Sequence, residues 1–293
     1  MTDAAPAEHA EDLPPTVERL LWLLELERLD RDLFRARSPR HRPNGRLFGG
    51  QVAAQALRAA TLTVEVDHHP HSLHGYFLRP GLPKRPLILS VDRIRDGRSF
   101  TTRRVVAVQD GEAIFALEAS FHQDEPGGEH QLPLALDVPG PDDDLAEDRR
   151  MSTDSSSPFE MRQVRTPPAD ERGVYESTQR VWVRTNGPLP DDRHLHACVL
   201  TYISDMGAVM AARKALGLSW GSGGMAASLD HAMWFHRPIR PDGWVLWDLR
   251  PMSNTNSRGL VFGTMHDQSG VHGVSMTQEA LIREGRRSSS PPA

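Results

Sequence analysis

The chain has a single cysteine, Cys198, and only two lysines among its 293 residues. One cysteine excludes an intramolecular disulfide, which fits a reducing compartment. The neighbours of Cys198 in the sequence are apolar, and a reactive thiol needs an electropositive, accessible setting, so this residue is not favoured as a nucleophile. A formal net charge of -5 excludes a strongly basic surface, so nucleic acid is not an expected partner.

Targeting and membrane signals are also lacking. Residues 1–15 are acidic and contain no apolar segment of the kind that a signal peptide needs. No run approaches the roughly 20 apolar residues of a membrane span, and the last residues do not form a peroxisomal Ser-Lys-Leu ending. We therefore expect a cytoplasmic protein without a membrane span, in which residues 286–293 form a frayed tail.

Two apolar segments in the first half are typical of helices. Residues 16–29 carry a dense apolar stripe at helical spacing, which predicts a helix packed on a larger body; its members are Val17, Leu20, Leu21, Leu23, Leu24 and Leu26. Residues 49–62 are rich in alanine and apolar on all sides, which predicts a heavily buried helix. Gly49 and Gly50 at its start lack the lysine of a phosphate-binding loop, so they indicate close approach between chain segments.

Alternating apolar and polar residues predict strands in both halves. In the first half, Asp96-Gly97 and Asp110-Gly111 separate such segments, which is a strong hairpin signal. The predicted strands cover residues 87–94, 99–108, 113–122, 179–184, 228–237, 244–252, 258–265 and 271–282, and a helical zone covers 194–216. Residues 124–178 are poor in apolar side chains, which indicates a partly ordered linker.

The two halves repeat one order of elements, a buried helix followed by antiparallel strands. Residues 72–80 resemble residues 230–238, and both segments end in Arg-Pro. Self-similarity at this scale indicates a duplication. The predicted fold class is therefore α+β, with two tandem units that each wrap a curved antiparallel sheet around a long helix. The predicted boundaries are 1–123 for the N-terminal helix and first unit, 124–178 for the linker and 179–285 for the second unit.

Strand alternation places one polar side chain where an apolar one is expected. In the last predicted strand, Gln278 shares a face with Val274, Met276, Ala280 and Ile282. A buried amide without partners costs roughly 1–3 kcal/mol, so Gln278 needs hydrogen-bond partners. Two interpretations remain open: an amide bound to loop backbone, or an amide that holds a water or a carbonyl.

Asp205 and Ser228 each have a structural and a functional interpretation. Asp205 precedes an apolar helical stretch, where an aspartate commonly caps the N-terminus and stands beside N–H groups that can stabilise an oxyanion. Ser228 lies outside any Gly-x-Ser-x-Gly pattern, which argues against an acyl-enzyme serine. Asp230 is predicted to share the face of Ser228, whereas His231 and His236 are expected to be structural or interfacial.

Four histidines are close in the sequence: His68, His69, His71 and His74. Their spacing matches no metal-ligand pattern, so no metal site is predicted there. A general base at His71 or His74 is a minor alternative.

Six segments, taken in order, resemble the bacterial acyl-CoA thioesterase II family. They are RLFGGQVAAQAL, HSLHGYFLRPG, DGRSFTTRRVVAVQDG, SDMGAV, SLDHAMWFHRP and MTQEALIR. The resemblance runs from about residue 16 to about residue 284. It implies a double hot-dog fold and hydrolysis of fatty acyl-CoA to free acid and CoA without a cofactor.

The resemblance also implies which residues act. By motif, the family's aspartate, hydroxyl residue and glutamine fall on Asp205, Ser228 and Gln278, which are expected to direct a water molecule at the thioester carbonyl. Many relatives carry threonine at the position of Ser228. Backbone N–H groups near Gly50 and Gln51 are expected to bind the substrate, and arginines near the mouth of the site to meet CoA phosphates.

Matching positions in the first half are roughly Gly50, Pro70 (or Ser72, if a short gap is allowed) and Ala119. They lack the carboxylate and the amide. One active site per chain is therefore expected.

Two alternatives share the implied fold. One is an enoyl-CoA hydratase, for which His231 or His272 would have to serve. The other is a hot-dog protein that binds acyl-CoA without turnover. Release of free thiol separates a thioesterase from both. Because hot-dog units pair their sheets, a homo-oligomer, either dimer or tetramer, is a family expectation.

Overall fold

A computed structural model describes residue 13 and residues 16–39, 45–134, 138–143, 157–219 and 222–283. The predicted tail at 286–293 lies outside the described residues. The helices are α1 (Val17–Leu24), α2 (Gly49–Thr61), α3 (Arg193–Ser204) and α4 (Ala208–Lys214). The strands are β1 (Glu27–Asp30), β2 (Leu33–Ala36), β3 (His69–Phe77), β4 (Leu87–Asp96), β5 (Phe100–Gln109), β6 (Glu112–His122), β7 (Phe159–Val164), β8 (Gln179–Thr185), β9 (Met225–Ser228), β10 (Asp230–Phe235), β11 (Val245–Thr255), β12 (Arg258–Asp267) and β13 (His272–Arg283).

Within the described residues these strands form one antiparallel sheet. Its order is β1-β2-β4-β5-β6-β3-β10-β13-β12-β11-β8-β7, and β9 pairs with β13 outside this path. The first six strands in this order come from the first half of the chain and the other six from the second half. The two halves therefore join at β3 and β10, in the middle of the sheet.

The pairing of β3 with β10 follows the predicted duplication. Ser72 pairs with Trp234, and Tyr76 pairs with Asp230. In the sequence repeat, Ser72 matches Asp230 and Tyr76 matches Trp234, so each strand presents the same positions to the other. This is the arrangement of a two-fold interface, in which one surface meets its own copy. The halves are thus related by a pseudo-two-fold axis.

α2 and α3 pack against each other, and α2 also packs on β4, β5 and β6. Five alanines of α2 have no exposed surface: Ala53, Ala54, Ala56, Ala59 and Ala60. Such small side chains let the helix lie close to the sheet and to α3. The prediction of a buried helix over residues 49–62 is confirmed.

The helix predicted over residues 16–29 ends earlier, at Leu24. Glu25 is extended (φ -79°, ψ 114°), and the chain then forms β1, which pairs with β2. Leu20 and Leu24 are buried, whereas all four residues of β1 are exposed. The helix has then completed its contact with the core, and backbone pairing at the edge of the sheet determines the conformation that follows.

The predicted linker contributes a strand, which the sequence pattern does not indicate. β7 lies within residues 124–178 and pairs with β8 at the edge of the sheet. Only its first and last residues, Phe159 and Val164, are buried. The alternation that marks a half-buried strand is therefore missing.

One described stretch, Arg193–Lys214, is long and apolar enough to cross a membrane, with a mean hydropathy of 1.3. This differs from the expectation that no run approaches such a length. The stretch comprises α3 and α4, and 83% of its apolar window is buried inside the fold. The core helix of a globular fold meets the same criteria, so the stretch is weak evidence for a span.

Candidate active site

Asp205 ends α3 and does not begin α4. Its backbone is helical (φ -85°, ψ -5°) at the C-cap of α3, and Gly207, at φ 89°, is the N-cap of α4. The predicted N-cap role of Asp205 is therefore wrong. Gly207 divides the helical zone because glycine adopts the left-handed conformation at little cost. Trp247 Nε1 donates to the Met206 carbonyl (2.9 Å) and fixes this turn.

β13 carries Gln278 on its buried face. The side chain is 1% exposed, like that of Ala280, so the prediction of an amide on an apolar face is confirmed. Ser228 is the last residue of β9 and pairs with Ala280. Leu229 separates β9 from β10, so the single strand predicted over residues 228–237 is in fact interrupted directly after Ser228.

These elements bring Asp205, Ser228 and Gln278 into one hydrogen-bonded group. The Ser228 hydroxyl donates to Asp205 Oδ1 at 3.2 Å. Gln278 Nε2 donates to the same carboxylate oxygen at 3.0 Å and to Ser228 Oγ at 2.8 Å. The three residues singled out from the sequence are therefore in mutual contact.

The amino end of α2 binds the other oxygen of the Asp205 carboxylate. The Gly50 N–H donates to Oδ2 at 2.8 Å. A Cβ atom at Gly50 would lie 2.5 Å from the Tyr202 carbonyl oxygen, and one at Gly49 would lie 2.8 Å from Asp205 Oδ2. The prediction of close chain approach at these glycines is confirmed. Because a helix N-terminus favours negative charge, α2 stabilises the ionised form of Asp205.

Gly50 and Gln51, which were expected to bind substrate, are placed differently. The Gly50 N–H is occupied by Asp205, and Gln51 is 1% exposed, with its amide nitrogen 3.5 Å from Gln55 Oε1. Gly49 and Val52 of the same helix line the cleft described below, and Gly50 and Gln51 do not. Their positions therefore do not support a direct contact of either residue with substrate.

His231 belongs to the site, although the sequence pattern suggests a structural or interfacial role. Its ring is 1% exposed. Nδ1 lies 2.6 Å from Gln278 Oε1, and Nε2 lies 2.7 Å from Ser204 Oγ. His231 and Met233 are both buried on one face of β10. This alternation is the signal that could have placed His231 on the same side as the apolar face of β13.

The hydrogen bonds of Gln278 determine where the His231 proton lies. The amide nitrogen donates to Asp205 and to Ser228, so Oε1 is the end that faces His231. A carbonyl oxygen only accepts, so Nδ1 of His231 carries a hydrogen. His231 thereby orients the amide that contacts the carboxylate.

Burial raises the pKa of Asp205 above the usual carboxyl range. The charge of His231 and the hydrogen bonds from Gln278, Gly50 and Ser228 act in the opposite direction. Burial also lowers the pKa of His231, against the attraction of Asp205. A carboxylate with a raised pKa is a stronger base than an exposed one, so burial strengthens Asp205 as an acceptor of a proton from water.

A cleft of 550 Å³ opens between the two halves beside this group, and its lining includes Asp205 and Ser228. Apolar residues of both halves form much of the wall, among them Leu47, Phe77, Ile114, Val209, Met210 and Leu281. Arg46 and Arg79 also line it. The cleft therefore combines an apolar wall, cationic side chains and a buried carboxylate.

Histidines near the start of β3 do not contribute to the cleft. His71 lines a different cavity, and His74 is exposed on β3 with its ring 5.3 Å from that of Trp234. Among the described residues, no group of three His, Cys, Asp or Glu side chains has the arrangement of a metal site.

Comparison with known proteins identifies the family. Residues 37–122 match the family described as "Acyl-CoA thioesterase N-terminal domain", and residues 155–281 match "Acyl-CoA thioesterase". Acyl-coenzyme A thioesterase 8 of Mus musculus is 39% identical over 285 residues, which cover 89% of this chain and 88% of that protein. The crystal structure of acyl-CoA thioesterase II TesB2 from Mycobacterium marinum is 38% identical, with a TM-score of 0.78 over 90% of this chain and 98% of that chain. The chain belongs to the acyl-CoA thioesterase II family.

The fold of this thioesterase II chain is the expected double hot-dog. A protein of Alicyclobacillus acidocaldarius described as having a hot dog fold matches with a TM-score of 0.71 at 19% identity, over 90% of this chain and 97% of that chain. At that identity the likeness concerns the fold alone. Together with the two halves of the sheet around α2 and α3, it confirms the predicted architecture.

Among the described residues in the first half of the thioesterase II chain, no equivalent of the Asp205 group is present. The expected counterpart of Asp205 at Gly50 is wrong, because Gly50 begins α2 whereas Asp205 ends α3. The C-cap of α2 is Leu62. Leu62, Pro70 and Ala119 carry neither carboxylate nor amide.

Proposed function

We propose that this chain hydrolyses fatty acyl-CoA to free fatty acid and CoA at Asp205, Ser228 and Gln278. The observation that supports this most directly is the shared hydrogen bonding of the three side chains beside a cleft with apolar walls. Membership of the acyl-CoA thioesterase II family supports the substrate class.

In the proposed reaction Asp205 is the general base. A water bound beside Ser228 loses a proton to the Asp205 carboxylate while its oxygen bonds to the thioester carbon, and Gln278 holds the carboxylate and the Ser228 hydroxyl in place. The carbonyl electrons move to the oxygen and form a tetrahedral oxyanion. When the oxyanion collapses, the C–S bond breaks, and the CoA sulfur takes the proton from Asp205. Ser228 positions the water and is not acylated.

The oxyanion needs donors other than the Gly50 N–H, which Asp205 occupies. Gly49 is the first residue of α2 and lines the cleft. We assign stabilisation of the oxyanion to the Gly49 N–H, aided by the positive end of α2.

The phosphates of CoA require cations at the mouth of the cleft. Arg46 and Arg79 are the residues that we assign to this role. The Arg79 side chain is 52% exposed and pairs with the more exposed Glu112 at 2.7 Å, so a phosphate can replace that partner at little cost. Arg213 also lines the cleft, but it is 4% exposed and donates to the Ser219 carbonyl, so it holds a loop.

Neither alternative function is favoured by a specific contact. His231 could serve a hydratase only from inside the cleft, but it is buried against Gln278 and Ser204 and does not line the cleft. A binding protein without turnover would not need the three polar side chains to meet.

Thiol release from a saturated acyl-CoA is the test. Cys198 is fully buried, and burial raises its pKa to about 12, so the chain's own thiol adds little background. We expect Asp205→Asn and Gln278→Ala to lose at least about a hundredfold in turnover, and Asp92→Asn, which alters an exposed carboxylate on β4, to keep it. Near-wild-type turnover of folded Asp205→Asn would disprove the assignment.

We also propose a cytoplasmic location and a homo-oligomer. The single, buried Cys198 supports a reducing compartment. Large apolar side chains exposed on strands, among them Tyr76, Ile94 and Leu260, support association through the sheet. Cell fractionation and light scattering would test the two proposals, and a monomer at micromolar concentration would contradict the second.

A further inference from the structure

The pseudo-two-fold axis relates β10 and β13 to β3 and β6. Ala232 pairs with Thr277 in the second half as His74 pairs with Glu118 in the first. Successive residues of β10 and β13 pair in the same register as the matching residues of β3 and β6. Each position of the active site therefore has a definable counterpart in the first half.

Both halves shift the register at the same place. In the first half the shift falls between Pro70 and Ser72. In the second half it falls at Leu229, after Ser228 has paired with β13. The corresponding positions are then Pro70 and Ser228, His69 and Ala227, and His122 and Leu281.

A cavity of 170 Å³ lies where the axis places the counterpart of the cleft. At the end of β10 it is lined by Phe235, Arg237 and Pro238, which repeat the cleft residues Phe77, Arg79 and Pro80. The first turn of α3, with Arg193 and His196, takes the place of the first turn of α2. We call this space the second cavity.

In the second cavity the hydrolytic side chains are missing. The counterparts Leu62, Pro70 and Ala119 offer no carboxylate, hydroxyl or amide. The lining instead contains five histidines: His69, His71, His122, His196 and His236. His196 Nε2 already donates to the Pro190 carbonyl at 2.9 Å, and the Nε2 atoms of His71 and His236 contact serine hydroxyls. The lining does not repeat the carboxylate, hydroxyl and amide of the Asp205 group, so the chemistry is that of binding and not of water activation.

Two arginines give the second cavity positive charge. Arg193 binds Asp124, the only acidic residue among the described lining residues, at 2.6 Å. Arg237 contacts the exposed carboxylate of Glu129 at 3.4 Å, a long and weak pair. Arg237 is the counterpart of Arg79, which we assign to a CoA phosphate in the cleft. The second cavity therefore has a guanidinium at the matching position.

Two histidines of the second cavity, His69 and His236, favour the neutral form. Burial, followed by the charge of Arg193, lowers the pKa of His69, and burial, followed by the charge of Arg237, lowers that of His236. Nδ1 of His69 is buried and has no hydrogen-bond partner among the described residues. A buried polar atom without a partner costs free energy, so a ligand that supplies one gains affinity.

We propose that the second cavity binds a phosphate group, as inorganic phosphate or as the phosphate of a small monoester, between Arg237, Arg193 and the surrounding imidazoles. Donors approach this space from β3, β6, α3 and the end of β10. A tetrahedral oxyanion accepts from several directions at once, whereas a carboxylate accepts through two oxygens in one plane.

Calorimetric titration of inorganic phosphate into the Asp205→Asn chain at low salt tests this inference. The Asp205→Asn background has no role in the second cavity, so the outcome does not depend on hydrolysis. We expect Arg237→Gln and His69→Phe to weaken phosphate binding at least about tenfold. Arg240→Gln, which removes an exposed arginine three residues away that pairs with Asp242, should bind as the parent does.

A second titration identifies the source of the ligand and the place where it binds. Methyl phosphate that binds at least as well as inorganic phosphate points to a monoester, and the reverse order points to the free ion. Loss of phosphate binding in Arg79→Gln but not in Arg237→Gln would place the anion in the cleft and overturn the proposal, as would absence of binding to the parent. If Arg237→Gln fails to fold, Arg237→Lys is used instead, because lysine keeps the charge but lacks the paired N–H donors of a guanidinium. Unchanged phosphate affinity in Arg237→Lys would count against the proposal.

Discussion

His231 Nδ1 lies 2.6 Å from Gln278 Oε1, and this contact determines which end of the Gln278 amide faces Asp205. With Oε1 held by His231, Nε2 donates to Asp205 and to Ser228. A flipped amide would place its oxygen against the carboxylate. His231 is therefore a positioning residue, which acts on the carboxylate through Gln278.

We expect His231→Phe to lower kcat about ten- to a hundredfold with little change in KM. The change leaves Gln278 Oε1 buried without a donor, at a cost of about 1–3 kcal/mol, and frees the amide to rotate. His231→Asn, whose side-chain N–H can reach the same oxygen, should restore part of the rate. Steady-state thiol release on an acyl-CoA gives both constants. Equal losses in the two variants, or a loss confined to KM, would show that the ring only fills space.

Gln278→Glu should move the acid limb of the activity profile to higher pH. A second carboxylate would then stand about where Nε2 now lies, 3.0 Å from Asp205 Oδ1. Two carboxylates that close cannot both ionise easily, so one of them keeps a proton to higher pH. Profiles of kcat/KM for the wild type and the variant check this. If the wild type and the variant lost activity over the same acidic pH range, the result would contradict the contact between Gln278 and Asp205.

The wild-type acid limb should itself lie above the ordinary aspartate pKa of about 3.9. Burial raises the pKa of Asp205, and activity requires the unprotonated form, so turnover falls as pH decreases through this raised value. Ser228→Ala removes one of the hydrogen bonds that lower the pKa of Asp205. The acid limb of this variant should therefore lie at a higher pH than that of the wild type. An acid limb at or below the ordinary value would exclude Asp205 as the base.

The predictability of the site differs from residue to residue. Gln278 was predictable, because strand alternation assigns a face to every position and a buried amide stands out there. The cap role of Asp205 was misread, because the break between α3 and α4 depends on the backbone at Gly207. The partner of His231 lies 47 positions away, and no local pattern encodes such a contact. β7 escaped prediction because its pairing with β8, and not its own alternation, determines its conformation.

Gly207→Ala should destabilise the fold and impair catalysis together. At φ 89° an alanine costs about 1–2 kcal/mol, and its Cβ would overlap the Gln179 side chain. Because Gly207 follows Asp205 by two residues, the shift displaces the carboxylate. Gly217→Ala is the matched control, since φ is 70° there and nothing lies within 4 Å of the added atom. In Gly217→Ala the free energy of unfolding should fall only by the cost of the strained backbone, and turnover should be unchanged. Urea unfolding and thiol release measure the two effects.

Arg180 and Asp248 should behave as a coupled buried pair. Arg180 is 2% exposed, and its Nε lies 3.1 Å from Asp248 Oδ2. Arg180→Met leaves the mostly buried Asp248 carboxylate, whose side chain is 22% exposed, without this cation, which should lower the free energy of unfolding by about 3 kcal/mol at pH 8. Arg172→Met, at an exposed pair with Asp170, should change it by less than about 0.5 kcal/mol.

The pH dependence of this loss follows from the direction of the Asp248 shift. Burial already raises the pKa of Asp248 despite Arg180, and removing the cation raises it further. A carboxyl whose folded pKa exceeds its unfolded pKa favours the folded state when protonated, so the defect of Arg180→Met should shrink as pH falls through the folded value. Arg180→Met with Asp248→Asn should show a smaller defect at pH 8 and little further change on acidification. A defect in Arg180→Met that stays constant between pH 8 and pH 5 would mean that Arg180 contributes through packing and not through its charge.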